Sequence, residues 1–327
     1  MVSHRERIET CLSGEKPDRV PLALWRHFPV DDQTPDGLAN ATLHFQQTFD
    51  LDIVKVSPSS SFCLKDWGAR DEWKGVPEGT REYIDRVISK PDDLERLPIL
   101  DPDKGFLADQ ITCLRILFNE LGPSTPIIQT VFNPLSQAKN LVGKDILNVY
   151  IRKYPDALHE GLKTITETTR RFIEAIKLTG IAGIFYAVQH AQFGVLTQEE
   201  YEEFGKPYDL QVLEPAKEMW LNMLHIHGQD IMFDLFLDYP INVINWHDRE
   251  TSPSLIEAKG NWNGTICGGL SRKSSMVLGT PQSVNTEALH AIDETDGTRL
   301  ILGTGCVLPI TTPFGNIMSA RKSIEYQ

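Results

Sequence analysis

The chain has 327 residues, 41% hydrophobic and 24% charged, with 32 Lys and Arg against 45 Asp and Glu for a net charge of -13. That length supports a sizeable core, and no apolar run reaches the roughly 18 residues that a membrane span requires. The acidic balance, with no basic run to offset it, argues against nucleic acid as a partner.

In chain order, the opening MVSHRERIETCLSGEKPDRV predicts a short helical segment at about 3–18. It has no apolar core of the secretory type, so a cytoplasmic protein is expected. Eight apolar runs then read as strands: 20–25 (VPLALW), 52–57 (DIVKVS), 126–132 (PIIQTVF), 183–188 (GIFYAV), 222–227 (NMLHIH), 242–246 (NVINW), 265–270 (TICGGL) and 299–303 (RLILG). Helix signals lie between them. Pro155 opens a run continued by Leu158, Leu162, Ile165, Phe172 and Ile176, and Thr197 with Glu200 forms a capping box. Ser252, Thr280 and Thr312, each followed by proline, read as N-caps, with Gly260 as the stop of the first of these helices. The rhythm predicts α/β architecture in one (β/α)8 barrel domain over 1–327, because no Gly-rich phosphate loop supports an open doubly wound sheet. The stretch 62–103, rich in charge, proline and tryptophan, is expected to be an excursion over the barrel mouth.

Barrel enzymes build their sites where strands end, so the strand ends are where chemistry is sought. They carry Arg26 and His27, then Ser57 to Ser61, Asn133, Gln189 and His190, His225 and His227, then His247, Asp248 and Arg249, and Cys306; five of the nine histidines fall there. In LHIHGQD (224–230), His225 and His227 point to one face because strand side chains alternate. The last strand of a closed barrel brings Cys306 within reach of both. Two imidazoles and a thiolate make a zinc site with one open position. The alternative has His225 and His227 in ordinary hydrogen bonds and Cys306 as an apolar filler. His190 and His247 are candidate general bases, and Asp248 either joins them or pairs with Arg249 or Arg272. Cys11, Cys63, Cys113 and Cys267, scattered and odd in number with Cys306, are expected to be unpaired packing residues.

The segments RIETCLSGEKPDRVPLALWRHFP (7–29), GGLSRKSSMVLGTPQSV (268–284) and ILGTGCVLPITTPFGNI (301–317) resemble the uroporphyrinogen decarboxylase superfamily, over nearly the whole chain. That resemblance implies a (β/α)8 barrel and a homodimer. The chain departs from the porphyrinogen decarboxylases. Arg26 matches the first arginine of their carboxylate clamp, but Val30 stands at the second. Ser59 stands near the pyrrole-binding aspartate, Asn140 at the tyrosine and Cys306 at the closing histidine.

The other branch of the superfamily transfers methyl groups with zinc. The chain is similar to it in the pair ending the fifth strand, where His-x-His replaces His-x-Cys, and in the Gly-Cys ending the eighth. The resemblance implies zinc on His225, His227 and Cys306. It implies catalytic roles for His190, His247 and Asp248, and substrate contacts from Arg26, His27, Ser59, Asn133 and Gln189. The substrate is a small molecule, with a methoxyl-type or corrinoid methyl donor, the corrinoid being carried on a separate protein. Decarboxylation of a tetrapyrrole and a non-catalytic binding barrel are the rival expectations.

Overall fold

A computed structural model describes residues 2–325; residues 1, 326 and 327 of the expected barrel span lie outside the described residues. The strands are β1 (Leu22–Ala23), β2 (Val54–Val56), β3 (Arg70–Glu72), β4 (Glu82–Asp85), β5 (Ile127–Phe132), β6 (Gly183–Val188), β7 (Met223–Ile226), β8 (Val243–Trp246), β9 (Thr265–Leu270) and β10 (Leu300–Thr304). Eight of them form one parallel sheet in the order β1-β10-β9-β8-β7-β6-β5-β2. With helices outside, this is a (β/α)8 barrel, and each of its strands falls within, or one residue beyond, a run read from the sequence. The apolar runs form strands because both faces are covered, one by the barrel interior and one by helices. Helix Pro155–Lys177 shows the covering side: Leu158, Leu162, Ile165, Phe172 and Ile176 recur at helical spacing and are all buried.

The seam between β1 and β2 is closed differently from the others. One backbone bond crosses it, Asp52 N donating to Leu22 O at 2.8 Å. The Asp52 carboxylate supplies the rest, accepting from Leu22 N at 2.8 Å, Arg7 at 2.8 Å, Arg19 at 2.6 Å and His4 at 2.9 Å. Burial opposes ionisation, but the hydrogen bond with His4, the Arg19 guanidinium and the Leu22 amide outweigh it, and the Asp52 pKa falls to about 2.

The stretch 62–103 contains structure that its sequence did not announce. β3 and β4 pair antiparallel as a hairpin. Arg81 binds the Asp32 carboxylate at 2.9 Å and the Pro29 carbonyl, Ile310 N donates to Pro77 O at 2.7 Å, and Arg86 donates to Asn140 O at 2.9 Å. The excursion is thus fastened to the segments that follow β1, β5 and β10.

Three expected helix boundaries move. The helix expected to start at Ser252 is Leu255–Asn261, capped by Ser254 because its side chain accepts from Glu257 N while Glu257 reaches back. Gly260 lies inside that helix, which stops at Trp262. Thr312 caps nothing: its hydroxyl donates to Pro309 O, and the last helix is Phe314–Lys322. Thr280 and Thr197 cap as expected.

Candidate metal and substrate site

β7 and β8 run in register, with His225 opposite Asn245. Asn245 donates its two amide hydrogens to Cys267 O at 2.8 Å and Thr304 O at 3.1 Å, so its oxygen is the atom 2.7 Å from His225 Nδ1. Nδ1 of His225 must therefore carry the proton, and Nε2 is left with its lone pair. His227 follows β7, its amide donating to Val188 O at 2.8 Å, and Gly228 then turns the chain with φ +110°. A side chain at Gly228 would occupy the place of the Gln192 amide. His247 follows β8 in the same way.

Cys306 arrives from β10 through Gly305. A Cβ there would sit 2.4 Å from the Trp246 carbonyl oxygen and 2.5 Å from His247 Cα, so only glycine lets this loop approach so closely. The result is a cluster: His225, His227, His247 and Cys306 offer one donor atom each, all within 4.8 Å of one another. Cys306 Sγ lies 3.8 Å from His227 Nδ1.

Burial alone would raise the Cys306 pKa. The surrounding imidazoles of His225, His227 and His247 outweigh it and take the thiol well below its ordinary range, which favours the thiolate. The His225 pKa is lowered too, because its burial favours the neutral ring, although the thiolate opposes this. His247 Nδ1 faces Glu250 at 3.6 Å, and its Nε2 is buried with no hydrogen-bond partner. A buried ring nitrogen without a partner, beside a thiolate and two more imidazoles, is the donor set of a soft divalent metal. Zinc bond lengths imply donor separations of roughly 3.3–3.7 Å, so the cluster needs only a modest contraction to close on an ion.

Beside His227 opens a cavity of about 530 Å³, whose lining includes Gln189, His190, Gln192 and Lys139. His190 Nδ1 lies 3.5 Å from Ser136 Oγ. His27 is buried near Cys306 and near Lys55, and burial followed by the Lys55 charge lowers its pKa to about 4.

The structure does not bring the other expected residues to the cluster. Arg26 turns away from the barrel interior, over the rings of Phe28 and Phe45 at 5.2 and 5.8 Å, into a separate cavity of about 210 Å³ lined also by Phe314. Ser59 is buried against Ser61 at 3.4 Å, and Ser61 donates to Asp71 under the hairpin. Asn133 caps helix Pro134–Val142 and donates to Asp209 at 3.0 Å, in a buried group with Tyr186, Tyr201 and Tyr239. Asp248 accepts from Gly269 N at 3.0 Å and pairs with Arg249 at 3.4 Å; burial pushes its pKa up to about 7. Arg272 pairs instead with Glu250 at 2.9 Å.

Two residues of the site escaped the sequence reading. Asn245 gives no signal beyond its place in a strand. Lys55 gives one, a charge in the middle of the apolar run DIVKVS, and it proves to lie fully buried in the barrel wall. The four other cysteines are free and buried.

A family model described as uroporphyrinogen decarboxylase matches residues 3–325. The chain belongs to the uroporphyrinogen decarboxylase family. Within reach of this family, the chain is 24% identical over 246 residues to the methylcobamide:CoM methyltransferase MtbA of Methanosarcina mazei, covering 74% of this chain and 69% of that one. It is 25% identical over 185 residues to a uroporphyrinogen decarboxylase of Corynebacterium diphtheriae, covering 55% of this chain and 52% of the other. Among solved structures it superposes on a methyltransferase from Methanosarcina mazei with a TM-score of 0.84 at 19% identity, covering 98% of this chain and 99% of that one, which supports the barrel. Among the described residues no helix is long and apolar enough to cross a membrane.

Proposed function

We propose that this chain is a zinc-dependent methyltransferase of the uroporphyrinogen decarboxylase family. It would move a methyl group between a methoxyl-type or corrinoid donor and a small-molecule acceptor, with the corrinoid on a separate protein and the enzyme itself a homodimer. The observation that carries the reading is the convergence of three imidazoles and one thiolate, with donor atoms within 4.8 Å, at the strand ends beside an open cavity. The methyltransferase among its curated relatives supports the same direction.

In this proposal His225, His227 and Cys306 hold the zinc. His247, expected as a base, is placed as a fourth donor that yields when substrate enters. Zinc there would act as a Lewis acid, activating a coordinated nucleophile or polarising a methoxyl oxygen. A third imidazole in place of thiolate leaves such a metal more electrophilic than a sulfur-rich set would. Asn245 orients His225, and Glu250 faces His247 from behind. Gln189 and His190 line the entry and position substrate, with His190 as the candidate base. Arg26 takes no part in substrate binding, which also removes the remaining arginine of a porphyrinogen carboxylate clamp.

The test begins with protein purified without added metal. About one zinc per chain is expected, falling sharply in Cys306→Ala. Zinc-loaded protein should then consume methylcobalamin in the presence of a small thiol or phenol acceptor, read by the change in cobalamin absorbance. A chain that neither carries nor tightly takes up zinc, yet releases carbon dioxide from uroporphyrinogen, would replace this reading with decarboxylation.

A further inference from the structure

The buried cation beside the cluster has no use in the chemistry above. Lys55 projects from β2 into the barrel, and its Nζ donates to Ser57 Oγ at 3.0 Å. The ammonium lies 4.5 Å from the centre of the Phe185 ring and 5.9 Å from that of Trp25, and Phe185 in turn stacks on His225 at 5.2 Å. Among the described residues no carboxylate pairs with it; burial lowers its pKa to about 7, opposed by the nearby Cys306 thiolate. His27 packs beside it against the backbone of Ser57 and Pro58, with Nδ1 buried and unpartnered. Burial disfavours the charged form of a lysine that lacks a carboxylate partner, and a bound anion would restore that charge.

The charges around the cluster lead to the same place. A divalent ion on three neutral imidazoles and one thiolate would leave one positive charge, and Lys55, when protonated, would add a second. The acidic groups nearby are engaged elsewhere, Glu250 with Arg272 and Asp248 with Arg249 and Gly269 N. The negative charge that this wall lacks must then arrive with the ligand.

We infer that Lys55, flanked by Ser57 and His27, is the recognition point for a carboxylate carried by the substrate, so that the site selects anionic small molecules over their neutral counterparts. This rests on the methyl-transfer reading for the identity of the site and extends it to the class of substrate. Lys55 acts here by positioning. It gives and takes no proton in the proposal.

The experiment is a calorimetric titration of the full chain, zinc-loaded and metal-stripped, with three matched pairs: acetate and acetamide, benzoate and benzamide, 4-methoxybenzoate and 4-methoxybenzamide. At least one carboxylate should bind about tenfold or more tighter than its amide, equivalent to about 1.4 kcal/mol. The preference should persist without zinc, vanish in Lys55→Met and survive in Lys55→Arg, with zinc content unchanged in both variants. No preference in the native chain overturns the inference. So does a preference that Lys55→Met retains, or one that disappears with the zinc, which would put the carboxylate on the metal. Should Lys55→Met fail to fold, Ser57→Ala and His27→Phe must each weaken the preference, and an undiminished preference in both overturns it. Because binding is read without turnover, a preserved preference in a protein that transfers no methyl group would remove the methyltransferase reading and leave Lys55 in its role.

Discussion

Asn245 commits both amide hydrogens to backbone carbonyls, and this forces the proton of His225 onto Nδ1. Asn245→Leu keeps the volume but releases the ring and leaves two buried carbonyls unpaired. Zinc affinity, measured by competition with a chromophoric chelator, should fall about 10–100-fold, the usual effect of losing an orienting partner behind a ligand. An unchanged affinity would mean that packing alone holds the ring. The ligand trio His225, His227 and Cys306 was legible as a candidate because strand parity and barrel closure are sequence-level facts. His247 was legible as a strand end but not as a fourth donor, since that depends on the register of β7 with β8. Arg26 was misplaced for a reason of parity: Trp25 packs on the inward Phe185 ring, so its neighbour faces outward and His27 faces in again. Lys55 stood in plain view in DIVKVS, yet an isolated charge in an apolar run has no meaning until its surroundings are known.

At the scale of elements, the strands of the barrel could be read because burial on both faces makes them continuous apolar runs. The hairpin of β3 and β4 could not, because RDE and EYID are polar segments whose residues alternate between partial and full exposure. Its stability comes from where it is fastened. Arg81 and its partner Asp32 are almost completely buried, with side chains 8% and 0% exposed, so removing one leaves the other uncompensated. Arg81→Met should loosen the hairpin from the segment that follows β1 and speed limited proteolysis within 62–103 roughly tenfold, as expected when about 1.4 kcal/mol of local stability is lost. Cleavage at the native rate would show that the Pro77 and Arg86 contacts hold the hairpin by themselves. The shifted helix starts at Leu255 and Phe314 differ in origin: Ser254 becomes a cap because its side chain accepts from the Glu257 N–H, whereas Pro313 precedes Phe314 with no side-chain cap.

Over the whole molecule, buried carboxyl groups shape stability at acid pH in opposite senses. Asp52 is held at about 2 against an ordinary 3.8, so the unfolded chain takes up its proton first as pH falls. Its contribution, about 2 kcal/mol from that difference, is complete above 3.8 and is lost as pH falls towards 2. Asp209 is raised to about 6, chiefly by burial, so the folded chain keeps a proton that the unfolded chain releases, and stability declines as pH rises from 3.8 to about 6. Asp248, raised by burial to about 7, acts in the same sense, so denaturant unfolding across pH 2–7 should show a rise and then a decline that is smaller in Asp209→Asn. Asp52→Ala should cost about 3–5 kcal/mol at neutral pH, because Arg19 would remain largely buried without its anion and Arg7 would keep Asp18 alone. A variant as stable as the native chain would show the β1–β2 seam closed by other means. That seam also bears on the order in which the ring is assembled. Its bonds join residues 4 to 52, close along the chain, and so carry a small loop-closure entropy. The β1–β10 junction joins Leu22 to Leu302 and carries the longest closure of all, and it is the one given a backbone ladder, extended beyond the strands by Leu308 N on Trp25 O. The ionic clasp can thus form early from local contacts, and the barrel closes when β10 returns to β1, the step that also brings Cys306 to the histidines: the site is completed by the last strand to arrive.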